Sequence, residues 1–185
     1  MGIGADLNRA AVFLDRDGVL NRAFVRDGIP HPPSSLAALE ILPDVPEALR
    51  RLRAHGFPLI VITNQPDVAR GTVSRAQIED IHRRLQAELD LDAIFTCFHD
   101  GADGCGCRKP RPGLLLEAAR SLGIDLSSSF MIGDRRPDMQ AGRCVGCRTF
   151  FVDHGYAESP PVDFDFRVGS LLEASTIILG QAASR

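Results

Sequence analysis

Short runs of apolar residues alternate along this chain with segments whose apolar residues recur at helical spacing. The apolar runs lie at 11–14, 58–62, 93–98, 130–132 and 148–152. Each run has the length of a buried strand, and strands separated by helices form parallel sheets, because a parallel connection must cross back over the sheet. The sequence therefore predicts an α/β fold with a doubly wound parallel sheet.

The predicted helices begin and end at residues that favour helix termini. Pro46 lies in the first turn of a helix that ends near Gly56, and Ser74 caps a second helix with apolar residues at helical spacing up to Leu89. Further helices are predicted at 112–122, 138–142 and 170–179, with a short edge strand near 166–168. Residues 18–35 are rich in Gly and Pro and are predicted to form a loop that covers part of the molecule.

Length and charge exclude several classes of protein. A chain of 185 residues can bury a hydrophobic core, and we expect one domain over 1–185. The net charge of −3 lacks the basic footprint of nucleic-acid binders. The longest aliphatic run, 59–62, is too short to span a membrane, and residues 1–10 do not resemble a signal peptide. We expect a cytoplasmic monomer with no nucleic-acid or membrane partner.

Polar residues follow three of the predicted strands directly. These clusters are Asp15-Arg16-Asp17-Gly18, Thr63-Asn64 and Gly133-Asp134. In open α/β sheets, ligands bind beyond the carboxyl ends of the strands, where neighbouring parallel strands end side by side. We therefore expect the three clusters to meet at one edge of the sheet.

The clusters contain groups suited to phosphate chemistry. Asp15 can attack phosphorus to form an aspartyl phosphate, while Asp17 protonates the leaving oxygen and then activates water. Asp134 offers a hard oxygen ligand for Mg²⁺, and Lys109, the only lysine in the chain, can bridge the nucleophile and the phosphoryl oxygens. Taken singly, these features have simpler explanations, because an Asp-x-Asp pair, a Thr or a Gly-Asp at a strand end is often a turn or a helix cap.

Four motifs in order resemble the haloacid dehalogenase-like (HAD) superfamily. They are Phe13-Leu14-Asp15-Arg16-Asp17-Gly18-Val19-Leu20-Asn21, Thr63-Asn64-Gln65, Arg108-Lys109-Pro110, and Ile132-Gly133-Asp134 with Asp138. The resemblance covers roughly residues 10–155. It implies a HAD-like, Rossmann-type fold, and the stretches after Asp17 and around residues 97–109 are too short for a separate cap domain.

This resemblance implies a Mg²⁺-dependent phosphatase that works through an aspartyl phosphate. Asp15 is then the nucleophile and Asp17 the general acid and base. Thr63, Asn64 and Lys109 would hold the phosphate. The family pattern implies that Mg²⁺ is bound by Asp15, the backbone carbonyl of Asp17 and Asp134, with Asp138 nearby in support. A phosphate-binding protein without turnover on the same scaffold is a remote alternative, since the residues needed for turnover are all present.

Four metal-binding residues lie within eleven positions: Cys97, His99, Cys105 and Cys107. Three thiolates and one imidazole suit a closed tetrahedral zinc site that pins a glycine-rich loop at about 97–109. Catalytic zinc, which keeps an open coordination position, and unligated buried cysteines are the competing interpretations. The clustering favours a structural zinc ion in a reducing compartment over disulfides.

The zinc loop also resembles one branch of the superfamily, which contains heptose 1,7-bisphosphate and histidinol-phosphate phosphatases. This resemblance implies a phosphorylated sugar, most closely the 7-phosphate of D-glycero-D-manno-heptose 1,7-bisphosphate, with histidinol phosphate or another small sugar phosphate as the alternative. Pro66-Asp67 departs from the heptose-enzyme pattern, and Asp134-Arg135-Arg136 fits the histidinol-phosphate enzymes about as well. The candidates for binding a second anionic group are Arg70, Arg108, Arg135 and Arg136.

Two other groups of residues have no clear function in the sequence. Cys144 and Cys147 form C-x-x-C without a second ligand pair, which indicates packed thiols at a helix–strand junction, with a redox pair or second metal as the alternative. The remaining histidines have no recognisable partners; they are His31, His55, His82 and His154.

Overall fold

The structure, a computed structural model, describes residues 9–182. Its strands are β1 Val12–Leu14, β2 Phe24–Arg26, β3 Ile29–His31, β4 Leu59–Asn64, β5 Ala93–Cys97, β6 Phe130–Gly133, β7 Arg148–Val152 and β8 Phe166–Val168. Its helices are α1 Val45–Ala54, α2 Arg75–Leu89, α3 Gly113–Leu122, α4 Arg136–Cys144 and α5 Leu171–Ala182. Short 3₁₀ turns occur at Leu36–Ala38, Gly101–Asp103 and Leu126–Ser128.

Six strands form one parallel sheet in the order β5-β4-β1-β6-β7-β8. The chain first builds outward from β1 through β4 to β5 and then returns to the other side of β1 for β6. This reversal is the topological switch point of a Rossmann-type sheet, where ligands bind. The predicted doubly wound α/β fold is confirmed.

Apolar residues cover both faces of the sheet, as a doubly wound fold requires. Along β1, Val12 and Leu14 belong to the cluster packed with α1, α2 and α5, whereas Phe13 belongs to the cluster packed with α3 and α4. The alternation follows from the two-residue period of a strand. Helix α2 is held at its start by a capping box between Ser74 and Gln77, as the sequence suggested for Ser74.

The structure corrects three of the sequence predictions. The loop predicted at 18–35 contains the antiparallel hairpin β2–β3, whose turn at Asp27 and Gly28 has positive φ at both residues. Asp-Gly is the usual signal for such a turn. Strand β4 extends two residues beyond the predicted end at residue 62. Helix α4 spans Arg136–Cys144, two residues more than the predicted 138–142 at each end, and Pro137 lies in its first turn, where proline is tolerated.

Among residues 9–182, no helix combines the length and apolarity needed to cross a lipid bilayer. The expectation that residues 1–10 do not resemble a signal peptide falls mainly on residues 1–8, which lie outside the described range. The two ends of the predicted domain, 1–185, lie outside it as well.

Candidate active site

The three polar clusters meet at one edge of the sheet. Asp15 follows β1, and its backbone N–H donates to the Ile132 carbonyl on β6 at 2.9 Å. Asp134 follows β6, and Thr63 and Asn64 end β4 on the other side of β1. The site therefore lies at the switch point of the sheet, as the strand-end pattern predicted.

Lys109 is the cation of this site and is almost completely buried. Its Nζ lies 2.8 Å from Asp15 Oδ1 and 2.6 Å from Asp138 Oδ1, and it donates to the Ile62 carbonyl at 2.7 Å. These three acceptors match the three donors of an ammonium group. Burial opposes the charged form, but the Asp138 and Asp15 carboxylates outweigh it and raise the pKa of Lys109. The ammonium is therefore permanently charged.

Three buried carboxylates surround the position where a cation would bind. The oxygens of Asp15, Asp134 and Asp138 lie within 4.8 Å of one another. Neither carboxylate oxygen of Asp134 has a hydrogen-bond partner among the described residues. Burial raises the pKa of Asp15 to about 6, although Lys109 acts in the opposite direction, and burial also raises the pKa of Asp134.

Charge and donor type at this cluster fit Mg²⁺. When all three carboxylates are ionised, the Lys109 ammonium leaves two negative charges in excess, which a divalent cation would balance. Buried charges need such a partner, and Mg²⁺ prefers carboxylate oxygens. Asp138 lies inside the cluster and is also tied to Lys109 and to the Arg135 backbone N–H, so it joins the predicted ligands as a close neighbour.

Two glycines make this close approach possible. A Cβ on Gly18 would lie 1.9 Å from Asp134 Oδ2, and the φ of +84° at Gly18 also disfavours other residues. A Cβ on Gly133 would lie 2.2 Å from the Cβ of Asp138. The glycines of the first and fourth motifs therefore leave room for the carboxylates of the site.

The Asp17 carboxylate is oriented by three side chains instead of joining the carboxylate cluster. Arg16 Nε and Nη2 donate to Oδ1 at 3.1 and 3.0 Å, and Nη2 also donates to Oδ2 at 2.9 Å. Asn21 donates to Oδ1 at 3.0 Å, and Gln65 donates to Oδ2 at 2.9 Å. Burial would raise the pKa of Asp17, but Arg16 and these hydrogen bonds lower it below its usual value.

Thr63 and Asn64, both predicted to hold phosphate, make different contacts. Thr63 is buried, and its hydroxyl accepts from Gln65 Nε2 at 2.9 Å. The side-chain amide of Asn64 forms two hydrogen bonds with the backbone of Lys109. Its Nδ2 donates to the Lys109 carbonyl at 3.1 Å, and its Oδ1 accepts from the Lys109 N–H at 3.1 Å. Asn64 thus places Lys109, and its direct contact with phosphate stays a prediction.

A cleft of about 290 Å³ opens above the carboxylates, between hairpin β2–β3 and the loop that carries Lys109. Three of the four candidate arginines line it. Arg70 is paired with Asp100 at 2.7 Å, and Arg135 is paired with Glu158. Arg108 forms no salt bridge among the described residues, although its charge helps to lower the pKa of Asp100, and its guanidinium donates to the His99 carbonyl at 3.3 Å. Arg136 does not line this cleft.

The loop after β7 contributes residues that sequence reasoning missed. Tyr156, the only tyrosine, lies beside Asp134, and burial together with the Asp134 carboxylate raises the pKa of Tyr156. His154 Nε2 lies 2.7 Å from the Gly18 carbonyl, and the Ala157 N–H donates to Gly28 at the hairpin turn at 2.9 Å. The sequence places no motif in this loop, so only the fold reveals its proximity.

The four zinc-ligand candidates come together as predicted. Cys97 Sγ lies 3.7 Å from Cys105 Sγ and 3.2 Å from Cys107 Sγ, and the last two sulfurs are 3.4 Å apart. His99 Nδ1 lies 3.6 Å from Cys97 Sγ and 3.3 Å from Cys107 Sγ. A tetrahedral ion with Zn–S bonds of about 2.3 Å separates its ligands by about 3.8 Å. The geometry fits a closed zinc site, and the three cysteines of the cluster are free of disulfides in this structure.

The loop with the cysteine–histidine cluster is connected to the candidate active site at both of its ends. The Gln65 N–H donates to the Cys97 carbonyl at 2.7 Å, and the same Gln65 holds Asp17. At the other end, the chain passes from Cys107 directly through Arg108 to Lys109. Cys144 and Cys147 are both free, and only Cys147 is buried, so the interpretation as packed thiols fits Cys147 and not the exposed Cys144.

A family model matches more than half of the chain, including Thr63, Lys109 and Asp134 but not Asp15 and Asp17, which precede the matched range. Residues 33–146 match the haloacid dehalogenase-like hydrolases. This chain belongs to the haloacid dehalogenase-like hydrolase family. It is a phosphatase of that family, as the predicted motifs indicated.

Similar curated proteins include two enterobacterial enzymes named D-glycero-beta-D-manno-heptose-1,7-bisphosphate 7-phosphatase. The protein from Salmonella typhi is 37% identical over 75% of this chain and 77% of its own length. The protein from Escherichia coli K12 is 39% identical over 71% of this chain and 72% of its own length. These matches confirm the predicted branch of the superfamily.

Solved structures share the fold. The D,D-heptose 1,7-bisphosphate phosphatase of B. bronchiseptica, solved with magnesium and phosphate, has a TM-score of 0.77 and 29% identity over 93% of this chain and 99% of its own. A HAD-like phosphatase from Mesorhizobium loti has a TM-score of 0.72 and 30% identity over 92% and 88%. The phosphatase from B. bronchiseptica and this chain therefore share their architecture over nearly their whole length.

The raised carboxyl pKa values predict competition between Mg²⁺ and protons. A carboxyl group with a pKa near 6 is protonated below that pH and must lose its proton to bind a cation, so Mg²⁺ affinity should fall as the pH drops through about 6. Isothermal titration calorimetry at about pH 5 and about pH 8, in buffers of different ionisation enthalpy, measures affinity and released protons together. Equal affinities without proton release would contradict the assignment, and Asp134→Asn should weaken binding at both pH values.

Loss of one zinc ligand should destabilise the loop before it changes the chemistry. In Cys107→Ser we expect zinc content, measured by elemental analysis, to fall, and the Tm to drop by roughly 6–12 °C for a loss on the order of 3 kcal/mol. Cys144→Ser, an exposed cysteine outside the cluster, is the matched control and should keep its zinc. Normal zinc content and Tm in Cys107→Ser would show that this thiolate is not a ligand.

Proposed function

We propose that this phosphatase hydrolyses the 7-phosphate of D-glycero-D-manno-heptose 1,7-bisphosphate. Mg²⁺ would bind at the aspartate cluster and structural Zn²⁺ at the Cys97, His99, Cys105 and Cys107 loop. The names of the similar curated proteins support this substrate. The observation that carries the proposal is Arg108, a cation at the cleft that forms no salt bridge in the described chain and lies next to the catalytic Lys109 in sequence. A bisphosphate offers a second anion for this guanidinium.

The first chemical step transfers the phosphoryl group to Asp15. Lys109 holds Oδ1, which leaves Oδ2, with no hydrogen-bond partner among the described residues, as the attacking atom. Oδ2 forms a bond to phosphorus as the bond from phosphorus to the sugar oxygen breaks, and that oxygen takes a proton from Asp17. The Lys109 ammonium lies where it can attract the phosphoryl oxygens and hold Asp15 in its ionised form.

The second step hydrolyses the aspartyl phosphate. Asp17, now ionised, takes a proton from water as the water oxygen bonds to phosphorus. The bond between phosphorus and Asp15 breaks, which yields inorganic phosphate and restores the Asp15 carboxylate. The lowered pKa of Asp17 keeps its carboxylate ionised at the start of this step, and it also opposes the protonated form that the first step requires.

A bound Mg²⁺, held by Asp15, Asp134 and the backbone carbonyl of Asp17, would supply the positive charge that lets a dianionic phosphate approach two carboxylates. The Asp17 carbonyl accepts no backbone hydrogen bond among the described residues, which leaves it available as a ligand.

Phosphate release with Mg²⁺ tests the substrate. We would compare both anomers of the heptose 1,7-bisphosphate with histidinol phosphate and simple sugar monophosphates. A kcat/KM of about 10⁴ M⁻¹s⁻¹ or more for one heptose anomer, well above the others, supports the proposal. A preference for histidinol phosphate would show that the proposed heptose substrate is wrong. The proposed functions of the catalytic residues would stay the same.

The two aspartates should fail in different ways. Asp15→Asn removes the nucleophile and should lower kcat by a factor on the order of 10⁴. Asp17→Asn removes the acid and base and should lower kcat by about 10²–10⁴, with slow formation of a phosphoenzyme. Asp163→Asn, an exposed aspartate paired with Arg143, is the matched control and should retain full activity. Turnover of Asp15→Asn equal to that of the unchanged protein would contradict the mechanism.

Arg108 should matter for the bisphosphate more than for a monophosphate. Loss of one charge-assisted hydrogen bond costs about 1.5–3 kcal/mol, so Arg108→Ala should lower kcat/KM for the heptose bisphosphate by roughly 10- to 150-fold. The value for p-nitrophenyl phosphate should change much less. Arg136→Ala, outside the cleft, serves as the control. If kcat/KM fell equally on both substrates, Arg108 would not bind the second phosphate.

A further inference from the structure

Arg16 lies between the two catalytic aspartates and is completely buried. Two of its three nitrogens, Nε and Nη2, hold the Asp17 carboxylate at distances of 2.9–3.1 Å. A buried guanidinium must have partners for its remaining donors, because an unpaired buried charge is costly. The partner of the third nitrogen therefore fixes how the whole group is oriented.

That partner is His82, which lies on α2, far from the catalytic motifs in sequence. Its Nε2 is 3.1 Å from Arg16 Nη1, and the residue is only 8% exposed. A guanidinium can only donate, so Nε2 must be the acceptor and the ring proton must lie on Nδ1. Burial and the Arg16 charge lower the pKa of His82 to about 4, although Asp17 and Glu79 act in the opposite direction. The ring is therefore a neutral acceptor near neutral pH.

We propose that His82 is a positioning residue for phosphoryl transfer, which acts by holding Arg16 so that Arg16 keeps the Asp17 carboxylate aimed at the leaving oxygen. The inference deepens the proposed function, since it rests on Asp17 as the acid and base. Helix α2, which contains none of the four motifs, would then affect the rate of catalysis through His82.

The geometry explains why the contact from α2 is needed. Asn21 and Gln65 hold the two oxygens of Asp17 individually, whereas Arg16 spans both of them. Nη1 is the nitrogen that does not touch Asp17, so His82 alone anchors the far side of the guanidinium among the described residues. Without this anchor, the planar group can rotate and carry the carboxylate with it. A misplacement of about 1 Å can cost about 10²-fold in rate.

The effect of a misaligned Asp17 on the rate of phosphoryl transfer depends on the leaving group. When an alkyl phosphate is cleaved, the sugar oxygen leaves as a poor alkoxide and needs the proton from Asp17 as its bond to phosphorus breaks. When p-nitrophenyl phosphate is cleaved, the p-nitrophenolate leaves without a proton. A misaligned acid should therefore slow phosphoryl transfer from the alkyl ester and spare transfer from the aryl ester.

The experiment compares single-turnover rates of His82→Leu, His82→Gln and the unchanged protein, with Mg²⁺ present. The substrates are an alkyl phosphate and p-nitrophenyl phosphate, assayed on the same preparation so that the folded fraction cancels in the rate ratio. We expect His82→Leu to lose at least tenfold on the alkyl ester relative to the aryl ester. The Gln side chain offers an amide oxygen near the position of Nε2, so His82→Gln should recover to within about threefold.

Ile81→Val is the matched control, because it weakens packing of α2 without touching Arg16. It should lower the Tm and leave the rate ratio unchanged. If His82→Leu lowers the Tm but leaves the ratio unchanged, or slows both substrates equally, His82 only supports the fold and the proposal is wrong. The alkyl ester is the heptose bisphosphate, or glucose 6-phosphate if the bisphosphate is not cleaved, so a wrong substrate assignment does not affect this comparison.

Discussion

The ammonium of Lys109 is the interaction on which the site depends. It is buried, and it joins Asp15 and Asp138 to the end of β4 through the Ile62 carbonyl. Burial is the main cause of the raised pKa values of Asp15 and Asp134, and the neighbouring carboxylates add to it. One positive charge cannot balance the three buried carboxylates, and this excess of negative charge fits a divalent cation.

The position of Lys109 in turn depends on a loop with little core of its own. Asn64 brackets the lysine backbone from the sheet, and the cysteine–histidine cluster closes the loop a few residues before it. The carboxylates sit on short turns after β1 and β6, where Gly18 and Gly133 permit the close approach. The sheet therefore positions Asp15, the proposed nucleophile, and the loop with the cysteine–histidine cluster positions Lys109 beside it.

The parallel sheet, the meeting of the three strand-end clusters and the cysteine–histidine cluster were predictable, because apolar runs, strand-end polar residues and ligand spacing are local signals. The order of the strands in the sheet was not predicted. Other features depend on contacts that no local pattern encodes. The pairing of His82 with Arg16, the hold of Gln65 on Asp17 and the approach of Tyr156 to Asp134 each join residues more than twenty positions apart. Hairpin β2–β3 differs from these contacts, because Asp27-Gly28 is a local turn signal from which the hairpin could have been predicted.

The proposed mechanism depends most on the covalent step at Asp15, and peptide mapping of an acid-quenched reaction tests that step most directly. The protein is mixed with substrate and Mg²⁺, quenched within milliseconds, digested and analysed by mass spectrometry. We predict the added mass of one phosphoryl group on the peptide that contains Asp15, located to that residue by fragmentation. A phosphoryl group on a different residue would contradict it, as would full turnover with no labelled peptide at any quench time.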